Sequence, residues 1–251
     1  MKVLATADLH IDYSNSDQIR TLKKLVNREE PDAVLIAGDV YDCRTLNPYS
    51  DLRKISKDID IIFCLGNHEF AFRSVNDTLN YYKQEAKKSN VHCLDVCGYV
   101  DVMGVRIVGN VLWYDGSLSE RSDVQEKLKN IDDSWLDSTI KNFDPQTENA
   151  KCVQQIKTAL NNYKGKSILL THMVPHHKLN TFCDMNPCSV YNIYSGMYNL
   201  FNTEEICVDV AICGHTHRPV TYYYANCTKC TNIGNDYPFR QGGLVYDILE
   251  I

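Results

Sequence analysis

The fold is decided by the stretch Ala33-Val34-Leu35-Ile36-Ala37-Gly38-Asp39-Val40-Tyr41-Asp42, where an apolar run leads directly into a glycine and two carboxylates. The run is short and is flanked by Pro31-Asp32 and by glycine, which is typical of a buried strand in a parallel sheet. Ligands bind at the carboxyl ends of the strands in open α/β sheets. The pattern therefore predicts that Asp39 lies where a metal ion or a substrate is held.

Four other apolar runs are followed in the same way by residue types that ligate metals. Residues 2–7 lead into Asp8 and His10, residues 59–65 into Asn67, His68 and Glu69, residues 167–171 into His172, and residues 208–213 into His215 and His217. Five strand ends are thus expected to present carboxylate, amide and imidazole groups.

The order of the predicted elements indicates an α/β fold. Helical spacing in residues 14–28, a short helix near 48–56 and another over 75–88 alternate with the first three strands, which predicts a right-handed parallel sheet. A hairpin around Gly104 then suggests a second sheet packed on the first. Residues 119–160 are expected to form two or three helices, with a break at Pro145, and residues 220–225 and 243–251 to form strands. No linker is visible, so residues 1–251 are interpreted as one domain with a loop-rich insert around 175–202.

Composition narrows the class of protein. The chain has 251 residues, a net charge of −6 and eleven cysteines, and its pI is near 5.7. The acidic balance argues against binding nucleic acid without a partner protein, and no apolar run approaches the ~18 residues of a membrane span. A soluble, cytoplasmic protein with reduced thiols is expected. Incidental cysteines are favoured over a zinc site formed by Cys183, Cys188, Cys227 and Cys230.

The strand-end residues form a candidate metal centre. Mixed carboxylate and imidazole ligands suit Mn, Fe, Zn, Co or Ni better than Mg or Ca alone. Seven ligands exceed one coordination sphere, so two ions sharing the Asp39 carboxylate are predicted. Ions ~3.5–4 Å apart lower the pKa of a bridging water towards ~7 and stabilise an in-line displacement, chemistry that suits a phosphate ester. His68 is the candidate general acid. The predicted ligands are Asp8, His10, Asp39, Asn67, His172, His215 and His217.

The motifs Asp8-x-His10, Gly38-Asp39-x-x-Asp42, Gly66-Asn67-His68-Glu69, a lone His172 after a strand, and Gly214-His215-x-His217 occur in the order found in one family. Over essentially its whole length the chain resembles the calcineurin-like metallophosphoesterase superfamily. The resemblance implies a four-layer sandwich of two β-sheets flanked by helices, and two divalent transition-metal ions, with Mn the expected metal. By this resemblance the first ion takes Asp8, His10, Asp39 and His217, the second takes Asp39, Asn67, His172 and His215, and His68 matches the catalytic histidine.

Departures from relatives bear on the substrate. Cys43-Arg44 follows the second motif in place of the Asp-Arg-Gly continuation of Ser/Thr protein phosphatases. The DNA-binding capping domain that follows the last strand in the related repair exonucleases is not expected here. The sequence is therefore interpreted as a metal-dependent phosphoesterase that hydrolyses a small phosphodiester, phosphomonoester or nucleotide by attack of a metal-bridging hydroxide. The alternatives are a nuclease for DNA or RNA recruited by a partner, a Ser/Thr protein phosphatase-like enzyme, and a non-catalytic scaffold similar to the retromer subunit. The presence of every ligand and of His68 favours an enzyme over the scaffold.

Three arginines lie close to ligand motifs: Arg44, Arg73 and Arg218. Each is a candidate for binding the substrate phosphate, because a guanidinium matches phosphate oxygens in a bidentate contact. An ordinary surface salt bridge is the alternative for each. The tyrosine-rich insert could close over the metals as a lid, or could be a surface loop or a dimer contact.

Overall fold

The structure, a computed structural model, describes residues 1–14, 17–41, 48–86, 90–202, 206–224, 229–236 and 243–251. Its strands form two sheets. The strands are β1 Lys2–Thr6, β2 Ala33–Ala37, β3 Asp60–Cys64, β4 Val91–Cys93, β5 Tyr99–Val102, β6 Val105–Asn110, β7 Ser167–Thr171, β8 Val210–Cys213, β9 Val220–Tyr223, β10 Lys229–Asn232 and β11 Asp247–Glu250.

The first sheet has the strand order β11-β1-β2-β3-β4. Strands β1 to β4 pair in parallel, and β11 pairs antiparallel with β1. The predicted parallel series is thus present, with β2 at its centre. Every residue of β2 is buried, as expected for a strand covered on both faces.

The second sheet has the order β5-β6-β7-β8-β10-β9, with a parallel centre and an antiparallel pair at each edge. Apolar side chains from both sheets form one buried cluster, to which β2 contributes Leu35, β7 contributes Leu170 and β8 contributes Ile212. The sheets therefore face each other across a shared core, and the predicted two-sheet sandwich is confirmed.

Asp95 ties the two sheets together close to their carboxyl ends. Its carboxylate accepts one hydrogen bond from the N–H of Leu65, directly after β3, at 2.7 Å, and one from the N–H of Val111, directly after β6, at 2.8 Å. Burial raises the pKa of Asp95 to about 7. One half-buried side chain thus fixes the end of a strand in each sheet.

Helices cover the outer faces of the sandwich, where a second apolar cluster joins them to the sheets. Pro145 begins a helix at its first turn, where proline is favoured, and Asp144 caps that helix by accepting from the N–H groups of Gln146 and Thr147. The α-helices are α1 Ile11–Ser14, α2 Asp17–Glu29, α3 Pro48–Leu52, α4 Val75–Glu85, α5 Leu94–Cys97, α6 Val124–Lys129, α7 Pro145–Leu160, α8 Thr181–Met185 and α9 Val190–Ile193.

Short 3-10 helices cover Asn67–Phe70, Leu136–Thr139 and His177–Leu179. The last of these lies, with α8 and α9, in the insert that was expected to be rich in loops. Within the described residues, no helix combines the length and the apolar composition that a membrane-spanning segment requires.

Candidate metal centre

Each predicted ligand lies just beyond the carboxyl end of a strand. In the first sheet, Asp8 and His10 follow β1, Asp39 follows β2 and Asn67 follows β3; in the second sheet, His172 follows β7, and His215 and His217 follow β8. Because the parallel strands of both sheets end at the same edge of the sandwich, the structure brings all seven residues together.

Five of these residues have left-handed backbone conformations. The φ angles are 51° at Asp8, 41° at His10, 48° at Asp39, 69° at His215 and 52° at His217. A non-glycine residue in this region costs of order 1–3 kcal/mol, and such residues cluster at functional sites. These left-handed residues follow strands β1, β2 and β8, so the chain turns sharply at three of the five strand ends that carry predicted ligands.

Backbone hydrogen bonds hold the first two turns against each other. The N–H of Asp8 donates to the carbonyl of Gly38, and the N–H of His10 donates to the carbonyl of Asp39, each at 3.0 Å. Gly38 is required by space as well as by its φ of 79°, because a Cβ there would lie 2.3 Å from Nδ1 of His172. The glycine therefore permits the close approach of the His172 ring from the opposite sheet.

The Asp39 carboxylate lies among imidazoles from different strands. Its Oδ2 is 3.8 Å from Nε2 of His10, 3.4 Å from Nε2 of His172 and 3.7 Å from Nε2 of His68. Asp8 occupies a similar place, with its Oδ1 3.7 Å from Nε2 of His217. Among the described residues, three groups of side chains could each hold a metal ion, with the ligand atoms of a group within 4.8 Å of one another. The groups are Asp8, His10 and His217; His10, Asp39 and His68; and Asp8, Asp39 and His172.

Main-chain carbonyls fix which nitrogen of two histidines faces inward. Nδ1 of His172 bonds to the carbonyl of Ala37 at 3.0 Å, and Nε2 of His215 bonds to the carbonyl of Tyr194 at 3.1 Å. Since a carbonyl only accepts, each of these nitrogens carries the proton. The lone pair that could bind a metal is therefore on Nε2 of His172 and on Nδ1 of His215.

Asn67 faces His172 at a distance that suits a shared cation. Its Oδ1 is 3.0 Å from Nε2 of His172. Burial lowers the pKa of His172 to about 3, so the ring is neutral, and its proton is on Nδ1. Both facing atoms therefore present lone pairs, which is the arrangement of two ligands of one metal ion.

The electrostatics of the site also fit divalent cations. Burial, and secondarily the neighbouring Asp39, raises the pKa of Asp8 well above its usual value. Burial lowers the pKa of His10 and of His215 to about 3, so both are neutral and able to bind a metal. Two buried carboxylates that repel each other among neutral imidazoles are stabilised by bound positive charge.

His68 lies at the open side of this cluster. Its side chain is 14% exposed, whereas that of Asp39 is 1% exposed. The N–H of His68 donates to Oδ1 of Asp39 at 3.1 Å, and its ring centroid is 4.8 Å from that of His10. Neither distance nor exposure separates His68 from the predicted ligands, because the side chain of His217 is 18% exposed. The assignment of His68 as the catalytic histidine comes from the family resemblance.

Several groups that hold the site in place were not predicted. Asp137 accepts from Nδ2 of Asn67 at 2.8 Å, and the Asp236 carboxylate is 3.7 Å from Nδ1 of His217. Glu69 appears in the sequence motif without a predicted role, and it accepts from the N–H of Tyr41 at 2.9 Å and from that of Gly66 at 2.6 Å. Asp236 follows β10, the parallel neighbour of β8, so the strand-end pattern could have found it had that strand been recognised.

The insert packs beside the centre on the side of His215. Its Tyr194 supplies the carbonyl that holds His215, and its Phe182 stacks on Tyr191 with the ring centroids 5.5 Å apart. Tyr191 in turn contacts Trp135, at 5.2 Å between centroids. Phe182, Tyr191 and Trp135 form an aromatic wall, and Trp135 joins it to Tyr194 with 4.7 Å between the ring centroids.

The three arginines have different surroundings. The exposed Arg218 has its Cζ 4.2 Å from the ring centroid of Phe182, at the edge of the aromatic wall. Arg73 has its Cζ 5.6 Å from the ring centroid of Tyr81 on α4. Arg44 lies outside the described residues, so its predicted contact with phosphate stays a prediction.

The cysteines proposed as an alternative zinc site do not appear among the metal-binding groups of the described residues. Sγ of Cys183 bonds to the carbonyl of Leu118 at 3.7 Å, and Cys230 is buried in β10. Cys227 lies outside the described part of the chain.

The chain resembles known proteins in sequence and in fold. The model of the calcineurin-like phosphoesterase family matches residues 1–219. UDP-2,3-diacylglucosamine hydrolase of Vibrio vulnificus (strain YJ016) is 21% identical over 238 residues, which cover 89% of this chain and 84% of that protein.

Among solved structures, phosphopantetheinyl hydrolase from Mycobacterium tuberculosis has a TM-score of 0.72 at 17% identity, covering 99% of this chain and 95% of its own. A dimetal phosphatase from Danio rerio has a TM-score of 0.54 at 15% identity, and the match covers 99% of this chain and 91% of that protein. At these identities the solved structures show a shared fold.

Proposed function

The chain belongs to the calcineurin-like phosphoesterase family, and from that premise we propose that it is a hydrolase with two divalent metal ions that cleaves a small phosphodiester, phosphomonoester or nucleotide. The family supports a metal-dependent hydrolase in general. The number of ions, the residue roles and the substrate class are the proposal.

One observation carries the proposal of two metal ions. A single carboxylate oxygen, Oδ2 of Asp39, is 3.8 Å from Nε2 of His10 and 3.4 Å from Nε2 of His172. These histidines come from different sheets and belong to the two different ligand sets that the family resemblance implies. Asp39 is thus suited to bridge two ions. The proposed sets are Asp8, His10, Asp39 and His217 for the first ion, and Asp39, Asn67, His172 and His215 for the second.

Divalent ions bound here would lower the pKa of a water molecule and neutralise charge on the phosphate oxygens. The chain's own residues orient the substrate and move protons. His68, at the open side of the cluster, would donate a proton to the leaving-group oxygen. The exposed guanidinium of Arg218 would contact a phosphate oxygen while it stays packed on Phe182.

The proposed substrate is small. The aromatic wall of Phe182, Tyr191 and Trp135 packs on Tyr194, whose carbonyl holds His215. We propose that this wall limits the size of the group that can approach the metals. The net charge of −6 disfavours a long nucleic acid. The relative from Vibrio vulnificus is named for a UDP-linked compound, which is consistent with a nucleotide-type or other small phosphate ester.

The same proposal includes Mn as the working metal, action in the cytoplasm, and residues 1–251 as one catalytic domain with the insert 175–202 at its entrance. The ligand set of carboxylates, imidazoles and one amide is compatible with Mn.

The test is a substrate screen in the presence and absence of Mn²⁺. Bis-p-nitrophenyl phosphate, p-nitrophenyl phosphate, cyclic nucleotides, a phosphopeptide and linear duplex DNA would be compared, with Asp39→Ala as the control. Turnover of a small ester that disappears with EDTA, returns with Mn²⁺ and is absent in the control supports the proposal. Preference for the phosphopeptide, or processive degradation of the DNA, would overturn the choice of substrate class.

A further inference from the structure

We propose that Asp137 is a positioning residue, which turns the Asn67 carboxamide so that its oxygen, and not its nitrogen, faces the metal centre. This inference rests on the proposed function only in taking Asn67 as a metal ligand. Asp137 lies in the 3-10 helix Leu136–Thr139, between α6 and α7, in a part of the chain without any ligand motif.

Both oxygens of Asp137 are engaged. Oδ1 accepts from Nδ2 of Asn67 at 2.8 Å, and Oδ2 accepts from the hydroxyl of Tyr114 at 3.0 Å. Asp137 is 3% exposed and Tyr114 is fully buried. The carboxylate therefore has a fixed orientation on both sides, with one oxygen directed at Asn67.

The chemistry of the pair then determines the orientation of the amide. A carboxamide has a donor end and an acceptor end of nearly the same size, and only the oxygen binds a cation. A carboxylate cannot donate, so the nitrogen of Asn67 must face Asp137. The opposite end, Oδ1, is thereby placed 3.0 Å from Nε2 of His172, the nitrogen whose lone pair is free of the Ala37 carbonyl. Without Asp137, the two orientations of the amide would differ much less in free energy.

The geometry allows a reciprocal exchange as a test. In Asp137→Asn, position 137 no longer presents an obligatory acceptor, so Asn67 can turn its nitrogen inward. In Asn67→Asp, two carboxylates face each other and repel. In the double variant the new amide at position 137 can donate to the new carboxylate at position 67, whose second oxygen again faces the metal side.

The readout is Mn²⁺ affinity by isothermal titration calorimetry, together with the electron paramagnetic resonance signal that separates a coupled Mn pair from single ions. Each single variant is expected to bind the weaker Mn²⁺ about 10–100-fold less tightly, the effect of losing an outer-shell partner of a ligand. The double variant is expected to regain affinity to within several-fold of the wild type, a recovery that independent losses cannot produce. A recovered coupled signal would also distinguish orientation of the ligand from general stability.

Tyr114→Phe is the matched control. It removes one buried hydrogen bond of the same carboxylate but leaves the one that orients Asn67, so Mn²⁺ affinity should stay within a few-fold of the wild type. Wild-type affinity in Asp137→Asn, or a double variant no tighter than Asn67→Asp alone, would overturn the inference and leave the proposed function intact.

If Asp137→Asn unfolds at the assay temperature, the Mn²⁺ affinity of the double variant is compared with that of Asn67→Asp. Tighter binding by the double variant supports the role of Asp137, and equal or weaker binding overturns it. A wild-type protein that binds no pair of Mn²⁺ ions would overturn the proposed function itself, and this inference with it.

Discussion

Replacing Gly66 by alanine is expected to displace the proposed bridging carboxylate. A Cβ at position 66 would lie 2.0 Å from Oδ1 of Asp39 and 2.5 Å from its backbone nitrogen, whereas real Cβ atoms essentially never approach another atom within 3.0 Å. Gly66 has φ −109° and ψ 178°, an extended conformation that alanine adopts without strain. The whole effect of the substitution therefore acts through steric contact with Asp39.

The size of the effect follows from the distance. To restore a contact of 3.0 Å, the carboxylate must retreat by about 1 Å, and a misplacement of about 1 Å at a reacting centre can cost about 10²-fold in rate. We expect Gly66→Ala to lower Mn²⁺ affinity by about 10–100-fold and to lower kcat/KM on a small phosphate ester by a similar factor.

Calorimetric titration with Mn²⁺ measures the affinity, and thermal unfolding in EDTA checks that the variant is folded. Gly243→Ala is the matched control, because a Cβ at that position meets no atom of the described residues within 4 Å. A Gly66→Ala protein with two Mn²⁺ ions bound at wild-type affinity would refute the assignment of Asp39 as the bridge.

Three further predictions concern single side chains. Asp39→Ala should lose both metal ions in elemental analysis. His68→Ala should keep both ions and lose ~10²–10⁴-fold in turnover, as expected for a general acid. Equal loss of metal in both variants would show that His68 is a ligand. Burial raises the pKa of Asp95 to about 7, whereas its pKa in the unfolded chain is ~3.9. Between about pH 4 and pH 7 the folded protein therefore binds more protons than the unfolded chain does. Its free energy of unfolding should therefore fall as the pH rises through that window, by up to about 1.4 kcal/mol per pH unit. Urea unfolding in EDTA at several pH values should show Asp95→Asn gaining stability relative to the wild type over the same window, and parallel curves would contradict this. Arg218→Ala should raise KM for bis-p-nitrophenyl phosphate about 10-fold without changing the metal content. An unchanged KM would show that the arginine does not bind the substrate phosphate.

The sequence predicts those parts of the fold that can be recognised from the residue types of one short segment. Strands β1, β2, β3, β7 and β8 are continuous apolar runs, and each is followed directly by polar ligand types, so both the strand and the place of its ligand can be read locally. Such runs mark strands that are buried on both faces, and they predicted the parallel sheet. The second sheet was predicted from the hairpin around Gly104, and the sandwich from the family resemblance.

Other parts could not be predicted because their signal is short or non-local. Strand β4 has three residues, and β10 has the polar sequence Lys229–Asn232; neither shows a hydrophobic period. Asp137 is 70 residues from Asn67 along the chain, and the group that holds His215 is a backbone carbonyl, which every residue has. Contacts of this kind depend on packing between distant segments, and residue type alone does not reveal them.

The central claim, that the chain holds two divalent metal ions across the Asp39 carboxylate, is tested most directly by metal stoichiometry. Protein prepared with Mn present would be dialysed and subjected to elemental analysis, with Asp39→Ala treated in parallel. The proposed function predicts close to two equivalents of Mn per chain in the wild type and close to none in the variant. A reproducible value of one or less in the wild type would contradict the dinuclear site.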